Sequence, residues 1–408
     1  MAQETAVDPF SLEHLIEPEH HANPYPFYQR LRASAPVHHD AQFGWVFTRH
    51  ADVVAALRDP HMSAERARLG KVEIPEHVRE LVAPALRAFL RQMLFLDPPD
   101  HTRLRALVNK AFTPRAVAAM RQQVQVIVDE LLDEIAAGGA TADLIERFAY
   151  PLPVVVIAQM MGVPRADHDQ FTAWTGELGA LIGGTALTPE RAPQALSAVL
   201  RMMDYFRRII ADHRAHPRDD LLQALISAED RGDVLSEDEL LGNCMLLLAA
   251  GHGTTTHLIG NGLVALFQHP DQWARLVERP ELAASAVTEI LRYDGTVQMT
   301  SRKARVPVTI GGQRVEAGEQ VVTVLAAANR DPAQFPDPDR LDLTRAENRH
   351  VAFGHGIHYC VGAPLAQVEG QVALASIARR LPRLRAAVPL DQLEWIESVT
   401  FRGLAALP

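Results

Sequence analysis

Cys360 lies in the stretch Ala352-Phe353-Gly354-His355-Gly356-Ile357-His358-Tyr359-Cys360-Val361-Gly362, and a helical run, Ala363 to Arg379, begins directly after it. Gly354, Gly356 and Gly362 allow tight turns and the close approach of a bulky partner. Amides at a helix start, backed by the positive end of its dipole, favour a sulfur held as thiolate. A cysteine so placed suits ligation of something large, flat and electron-poor. Free cysteine is otherwise a small buried hydrophobe, a role that flanks rich in glycine and histidine do not fit. Two further groupings have chemical potential. His101 and Arg105 are four apart and share one helix face, where they can grip an anion by charge-assisted hydrogen bonds. The stretch Ala249-Ala250-Gly251-His252-Gly253-Thr254-Thr255-Thr256 sets hydroxyls beside two glycines.

These groups need elements to position them. Asp97-Pro98-Pro99-Asp100 reads as a turn into the helix that carries His101 and Arg105, with Asp100 as the expected N-cap. Ser236-Glu237-Asp238-Glu239 is a capping box, and the helical pattern behind it runs without proline to about Gln268, before His269-Pro270. A helix of that length, about 45 Å at ~1.5 Å per residue, must cross the molecule. Its two internal glycines cost ~1 kcal/mol each relative to alanine, which points to a widening where something must fit or to close helix packing. Further amphipathic patterns cover Val117–Ala136, Leu152–Met161, Asp167–Ile182, Pro193–His213 and Asp220–Ala228. Strand-like runs occur at Gly44–Thr48, Val306–Ile310 and, after a Gly311-Gly312 turn, Val315–Leu325. Glu289 and Arg292 share a helix face at i,i+3.

Composition narrows the function classes. The 408 residues are 48% apolar and 22% charged, as in a globular protein rather than a disordered one. A net charge of −10 speaks against general nucleic-acid binding. The Cys244–Ala250 apolar run is far short of the ~20 residues of a membrane span, and the first residues read as no secretion signal. Two cysteines exclude a disulfide framework and fit a reducing, cytoplasmic setting. No G-x-S-x-G, H-E-x-x-H, Walker or dinucleotide-binding motif occurs. Without a flavin or nicotinamide module, electrons for any redox chemistry must come from separate proteins.

The cysteine stretch resembles the loop of the cytochrome P450 family, F-G-x-G-x-H-x-C-x-G, with every fixed position filled by Phe353, Gly354, Gly356, His358, Cys360 and Gly362. The resemblance spans nearly the whole chain through four ordered landmarks. It implies a fold that is mainly α with small β-sheets, one domain over 1–408, holding haem b between the long distal helix and the Cys360 loop. Cys360 would be the axial iron ligand, with Phe353 near the sulfur and His101, Arg105, Arg302 and His358 at the propionates. Glu289 and Arg292 would form the family's buried structural pair, completed by Arg340. Val297, Gln298, Met299, Leu94, Ala249, Thr400, Leu178 and Leu181 would border the substrate. The implied reaction inserts one atom of O2 into an apolar small molecule, such as a polyketide, macrolide or terpenoid. A ferredoxin and ferredoxin reductase would supply electrons, and the basic residues Arg103, Arg105, Lys110 and Arg115 could steer that acidic partner.

The family's distal helix reads A-G-x-(D/E)-T-T. Here Ala250, Gly251, Thr254 and Thr255 match, but Gly253 replaces the acid that relays protons. Protons must then come through ordered water beside Thr254, or from a substrate hydroxyl, unless turnover is slower and leakier. The departure keeps other readings open: a peroxide-driven or coupling haem-thiolate oxidase, or a non-catalytic haem sensor.

Overall fold

The Ser236 hydroxyl accepts from the Glu239 amide while the Glu239 carboxylate accepts from the Ser236 amide at 2.9 Å, so the capping box forms. Behind it one helix, Glu237–Gln268, runs unbroken for 32 residues, about 48 Å long at ~1.5 Å per residue. Most of its side chains are buried on every face, as expected of a helix threading the core. The computed structural model describes residues 8–65, 76–112, 114–168, 170–171, 173–174, 177, 192–230 and 232–408.

Helices Glu76–Leu90, Pro151–Met160, Ala192–Ala215, Ala283–Tyr293 and Ala363–Arg380 pack on this central helix, and Pro114–Ala137 lies against Ala363–Arg380. Their apolar faces merge in a single large core cluster. A methyl placed on Gly370 would lie 3.4 Å from Leu258, so the helix that follows Cys360 touches the central helix one turn beyond Thr254.

The sheets are small. The largest has five strands in the order Val37–Asp40, Gly44–Phe47, Gln320–Val324, Met299–Ala304, Met62–Ser63. Gly44–Phe47 pairs in parallel with Gln320–Val324, while the other three pairings are antiparallel. The architecture is mainly α with small sheets, as expected.

Three local expectations need correction. Asp100 is the first helical residue of Asp100–Ala111, not its cap; Pro99 holds that position, with no side-chain cap bond. The strand expected over Val315–Leu325 is two strands, Gln313–Val315 and Gln320–Val324, because the chain turns at Gly318 with φ +89°. The strand expected from Val306 starts at Val308. Most of the helix expected at Asp167–Ile182, with Leu178 and Leu181, falls outside the described residues. Among the described residues, no helix is long and apolar enough to cross a membrane.

Candidate functional site

The Cys360 loop is a hydrogen-bonded hairpin. The Gly354 amide donates to the Val351 carbonyl at 2.8 Å, and the Cys360 amide donates to the Phe353 carbonyl at 3.0 Å. A short 3₁₀ turn, Gly356–His358, fills its tip. Gly354 and Gly356 both have φ +72°, and a methyl on Gly356 would sit 2.4 Å from the Leu57 carbonyl oxygen, so glycine is required there twice over. Gly362 differs from expectation. With φ −81° it is the N-cap of Ala363–Arg380 in ordinary helical geometry, and a methyl there would meet the Cys360 sulfur at 3.9 Å.

Cys360 is accessible, whereas Cys244 is buried. Burial against the loop nonetheless raises the Cys360 thiol pKa, outweighing the Gly362 amide, Arg105 and the Ala363 amide, which all pull it down. The amides do favour the thiolate, as the sequence suggested, but they do not win alone.

Basic side chains gather around this loop. The rings of His101 and His358 lie 4.1 Å apart. His101 is held neutral, its pKa lowered to about 4 by burial and then by Arg105 and Arg302, with Asp97 opposing. Its Nδ1 is buried with no hydrogen-bond partner among the described residues. Burial lowers the Arg105 pKa, against the pull of Cys360, and its Nε donates to Asn109 at 3.1 Å. Arg302 bonds its neighbours, the Ser301 carbonyl at 2.8 Å and Thr300 Oγ1 at 3.3 Å. Two imidazoles and two guanidiniums thus converge near one thiol. Arg103 turns elsewhere: it pairs with Glu239 of the capping box, so it contributes less to the positive face than expected.

In the central helix, the Thr254 hydroxyl donates to the Ala250 carbonyl at 2.7 Å, and Thr256 does the same to His252 at 3.2 Å. Neither glycine is there for tight helix packing. A methyl on Gly251 would make ordinary contact with Ile157 at 3.9 Å, and one on Gly253 would meet nothing within 4 Å among the described residues. His252 points away, edge-on to Tyr150 with 4.2 Å between ring centres.

Glu289 and Arg292 form the expected buried pair, with two contacts of 2.8 Å. The expected third member is wrong. The Arg340 side chain is exposed, and only its carbonyl takes part, accepting from Arg292 Nη2 at 3.1 Å. Arg345 closes the group instead, its Nε 3.2 Å from both Glu289 oxygens, with Asn348 adding a bond of 2.9 Å. Sequence reasoning missed Arg345 because both arginines follow the proline-rich segment and only the chain path selects between them. The pair also steadies the cysteine loop: Arg292 donates to the Asn329 carbonyl at 3.0 Å, and Asn329 Oδ1 accepts from the Val351 amide at 2.7 Å.

The expected pocket residues divide. Val297 bridges to Phe401, and the Gln298 amide donates to the Thr400 carbonyl at 2.8 Å, bringing Val297, Gln298 and Thr400 together. Met299, expected beside them at the pocket wall, packs with Leu12, Leu15, Phe27 and Tyr28 as core, since strand alternation turns it to the N-terminal layer. Ala249 is buried, and Leu94 is half-buried against the main core.

Comparison with known proteins gives one consistent answer. The family model described as cytochrome P450 matches residues 76–384. Cytochrome P450 107B1 of Saccharopolyspora erythraea is 44% identical over 366 residues, 89% of this chain and 88% of that protein. Mycinamicin IV hydroxylase/epoxidase of Micromonospora griseorubida is 42% identical over 372 residues, again 89% and 88%. Among solved structures, the bacillaene polyketide synthase cytochrome P450 PksS of Bacillus subtilis superposes with a TM-score of 0.88 at 36% identity, covering 97% of this chain and 98% of that one.

Proposed function

We propose, from the premise that this chain belongs to the cytochrome P450 family, that it hydroxylates or epoxidises an apolar small molecule of macrolide or polyketide type. As a family member it is a haem-thiolate monooxygenase that depends on haem b, uses O2 and acts on hydrophobic substrates. Two relatives support this substrate class, one named for mycinamicin IV and one for a polyketide synthase. A ferredoxin with its reductase is the proposed electron source, and Lys110, exposed on the helix Asp100–Ala111, is proposed to help receive it. A cytoplasmic location is proposed with it, where reductant is available.

The residues fit the cofactor. The buried Nδ1 of His101 has no partner among the described residues, and the cationic and imidazole groups gathered beside it suit a ligand with two carboxylates. In this reading His101, Arg105, Arg302 and His358 hold the propionates, and Cys360 ligates the iron. A coordinating metal would favour the thiolate, opposing the burial that raises the Cys360 thiol pKa. When bound, the haem supplies the oxidising chemistry, with thiolate donation favouring O–O cleavage. The protein's part is placement and proton control. Thr254 keeps its hydroxyl proton engaged with the Ala250 carbonyl, leaving the Oγ1 lone pairs to accept from a donor in the cleft. Gly253 carries no acid, so water or a hydroxyl of the substrate is the proposed proton source, and no described atom lies within 4 Å of a Cβ built there. Val297, Gln298 and Thr400, tied together by the Val297–Phe401 bridge, are proposed to face the substrate.

The observation that carries the assignment is Cys360 at the head of a helix, beside a basic cradle with an unsatisfied imidazole. The test is the Soret absorption of the reduced, carbon-monoxide-bound protein. A thiolate-type band that disappears in Cys360→Ser is expected; a band typical of imidazole ligation, or protein that takes up no haem, would overturn it. Titration with mycinamicin IV, a steroid and a long-chain fatty acid, read by the haem spin-state shift, tests the substrate class. Mycinamicin IV should give the largest shift and an oxygenated product.

A further inference from the structure

Thr296 lies between the helix Ala283–Tyr293 and the strand Met299–Ala304, is 4% exposed, and donates its hydroxyl to the Thr254 carbonyl at 3.1 Å. We infer that Thr296 is a positioning residue for the Thr254 turn, fixing it to the two segments that frame the substrate cleft. The inference rests on the monooxygenase reading above and deepens it, since Thr254 is the hydroxyl that reading uses.

Three features carry the argument. The two glycines add no packing to the Thr254 turn: a methyl on Gly253 would meet no described atom within 4 Å, and one on Gly251 would make only an ordinary contact with Ile157. Glycines in a helix interior cost ~1 kcal/mol each, so such a turn holds its shape best when something outside the helix grips it. Thr296 does so without displacing the helix's own bond, because a carbonyl oxygen has two lone pairs.

The second feature is how firmly Thr296 is held. Its own carbonyl accepts from the Arg402 amide at 2.8 Å, and the next contact along is Gln298 amide to Thr400 carbonyl, also 2.8 Å. Arg402 in turn donates its Nε to Asp294 at 2.6 Å. The segment 294–298 and the terminal loop 400–402 therefore form one braced unit.

The third is a second anchor from the same helix. Asn261 donates to the Asp294 carbonyl at 3.2 Å and to the Arg402 carbonyl at 3.1 Å. Asn261 is seven residues beyond Thr254, two turns along and on the same helix face. The helix is thus pinned to the braced unit at two points, and the Thr296 hydroxyl makes the one at the reacting turn. Of these two hydrogen-bonded links, the Thr296 hydroxyl is the one that ties Thr254 itself to the cleft segment carrying Val297 and Thr400.

If Thr296 only filled space, valine, which has the same shape, would serve as well. The experiment compares wild type with Thr296→Val, Thr296→Ser and Thr254→Val as haem-loaded proteins, by infrared spectroscopy of the carbon monoxide complex, with the Soret band and thermal melting recorded in parallel. The C–O stretch reads the hydrogen-bonding field beside the haem without any substrate. Thr254→Val should displace the band, and Thr296→Val should displace or split it by more than its wild-type width, with the Soret band and melting unchanged. Thr296→Ser should restore it. A band unmoved in Thr296→Val overturns the inference, and so does a serine variant displaced like valine. If the valine variant fails to fold, Thr296→Ala removes the same hydroxyl and carries the comparison. A wild-type protein without the thiolate Soret band would instead sink the monooxygenase reading, and this inference with it.

Discussion

Gly253 stands where the family carries a carboxylate, and a Cβ at this position meets no atom of the described residues within 4 Å. Gly253→Glu should therefore keep the carbon-monoxide Soret band while changing several-fold the product formed per reduced nicotinamide consumed, with an increase expected if proton supply limits coupling. Unchanged coupling would mean that protons already arrive freely by another route. Arg345 gives a sharper structural contrast. Arg345→Ala removes a charge-assisted bond to the buried Glu289 and should cost about 2 kcal/mol, whereas Arg340→Ala, which leaves the useful carbonyl in place, should change stability by under about 0.5 kcal/mol. Urea unfolding of the two variants would show it. At this scale the sequence was legible wherever a residue type is demanded by its own loop, as at Gly356. It was illegible where function is assigned by contact alone, as with Arg345, Met299 and Thr296, whose partners lie more than forty residues away in the chain for Thr296 and more than fifty for Arg345.

Local rules carried well to the elements they govern. The central helix begins at its capping box and ends before His269-Pro270, as read, because both signals act within one turn. The strand expected to run through residues 315–325 failed because the turn at Gly318, with φ +89°, was read through, although Glu316, Glu319 and Gln320 around it already interrupt the apolar pattern. The cysteine loop is the element most exposed to single changes. Gly356→Ala would force an L-residue into φ +72°, costing roughly 1–2 kcal/mol, and would drive its methyl into the Leu57 carbonyl besides. Folded protein with a much reduced ratio of Soret to protein absorbance is the expected result. Full haem content in that variant would show that the loop can move away from the helix His50–Arg58 without loss of the site.

The buried titratable groups set the behaviour of the whole molecule with pH. Burial lowers His252 to about 3, and His257 and His350 to about 4, from 6.5. Between about pH 4 and 6.5 the unfolded chain binds protons at these histidines that the folded chain does not, so stability rises with pH there. Glu369 runs the other way: burial raises it from 4.5 to about 8, so the folded state keeps a proton that the unfolded state has released. Its contribution is lost as pH rises from about 4.5 to 8. With His101, also lowered to about 4, these histidines outweigh Glu369 between about pH 4.5 and 6.5, and from pH 6.5 to 8 the Glu369 contribution dominates. The melting temperature should therefore peak near pH 6.5, and Glu369→Gln should flatten the alkaline limb while leaving the acid limb intact.

The parallel pairing of Gly44–Phe47 with Gln320–Val324 joins chain segments roughly 270 residues apart. At ribosomal speeds of ~5–20 residues per second, the early hairpin waits roughly 14–55 s for the strand that completes its sheet. Throughout that interval a nascent polypeptide carries sticky, unpaired backbone near its amino end. Translation that stalls ahead of Gln320 would yield aggregating fragments, so chaperone supply should govern how much intact enzyme a host cell recovers.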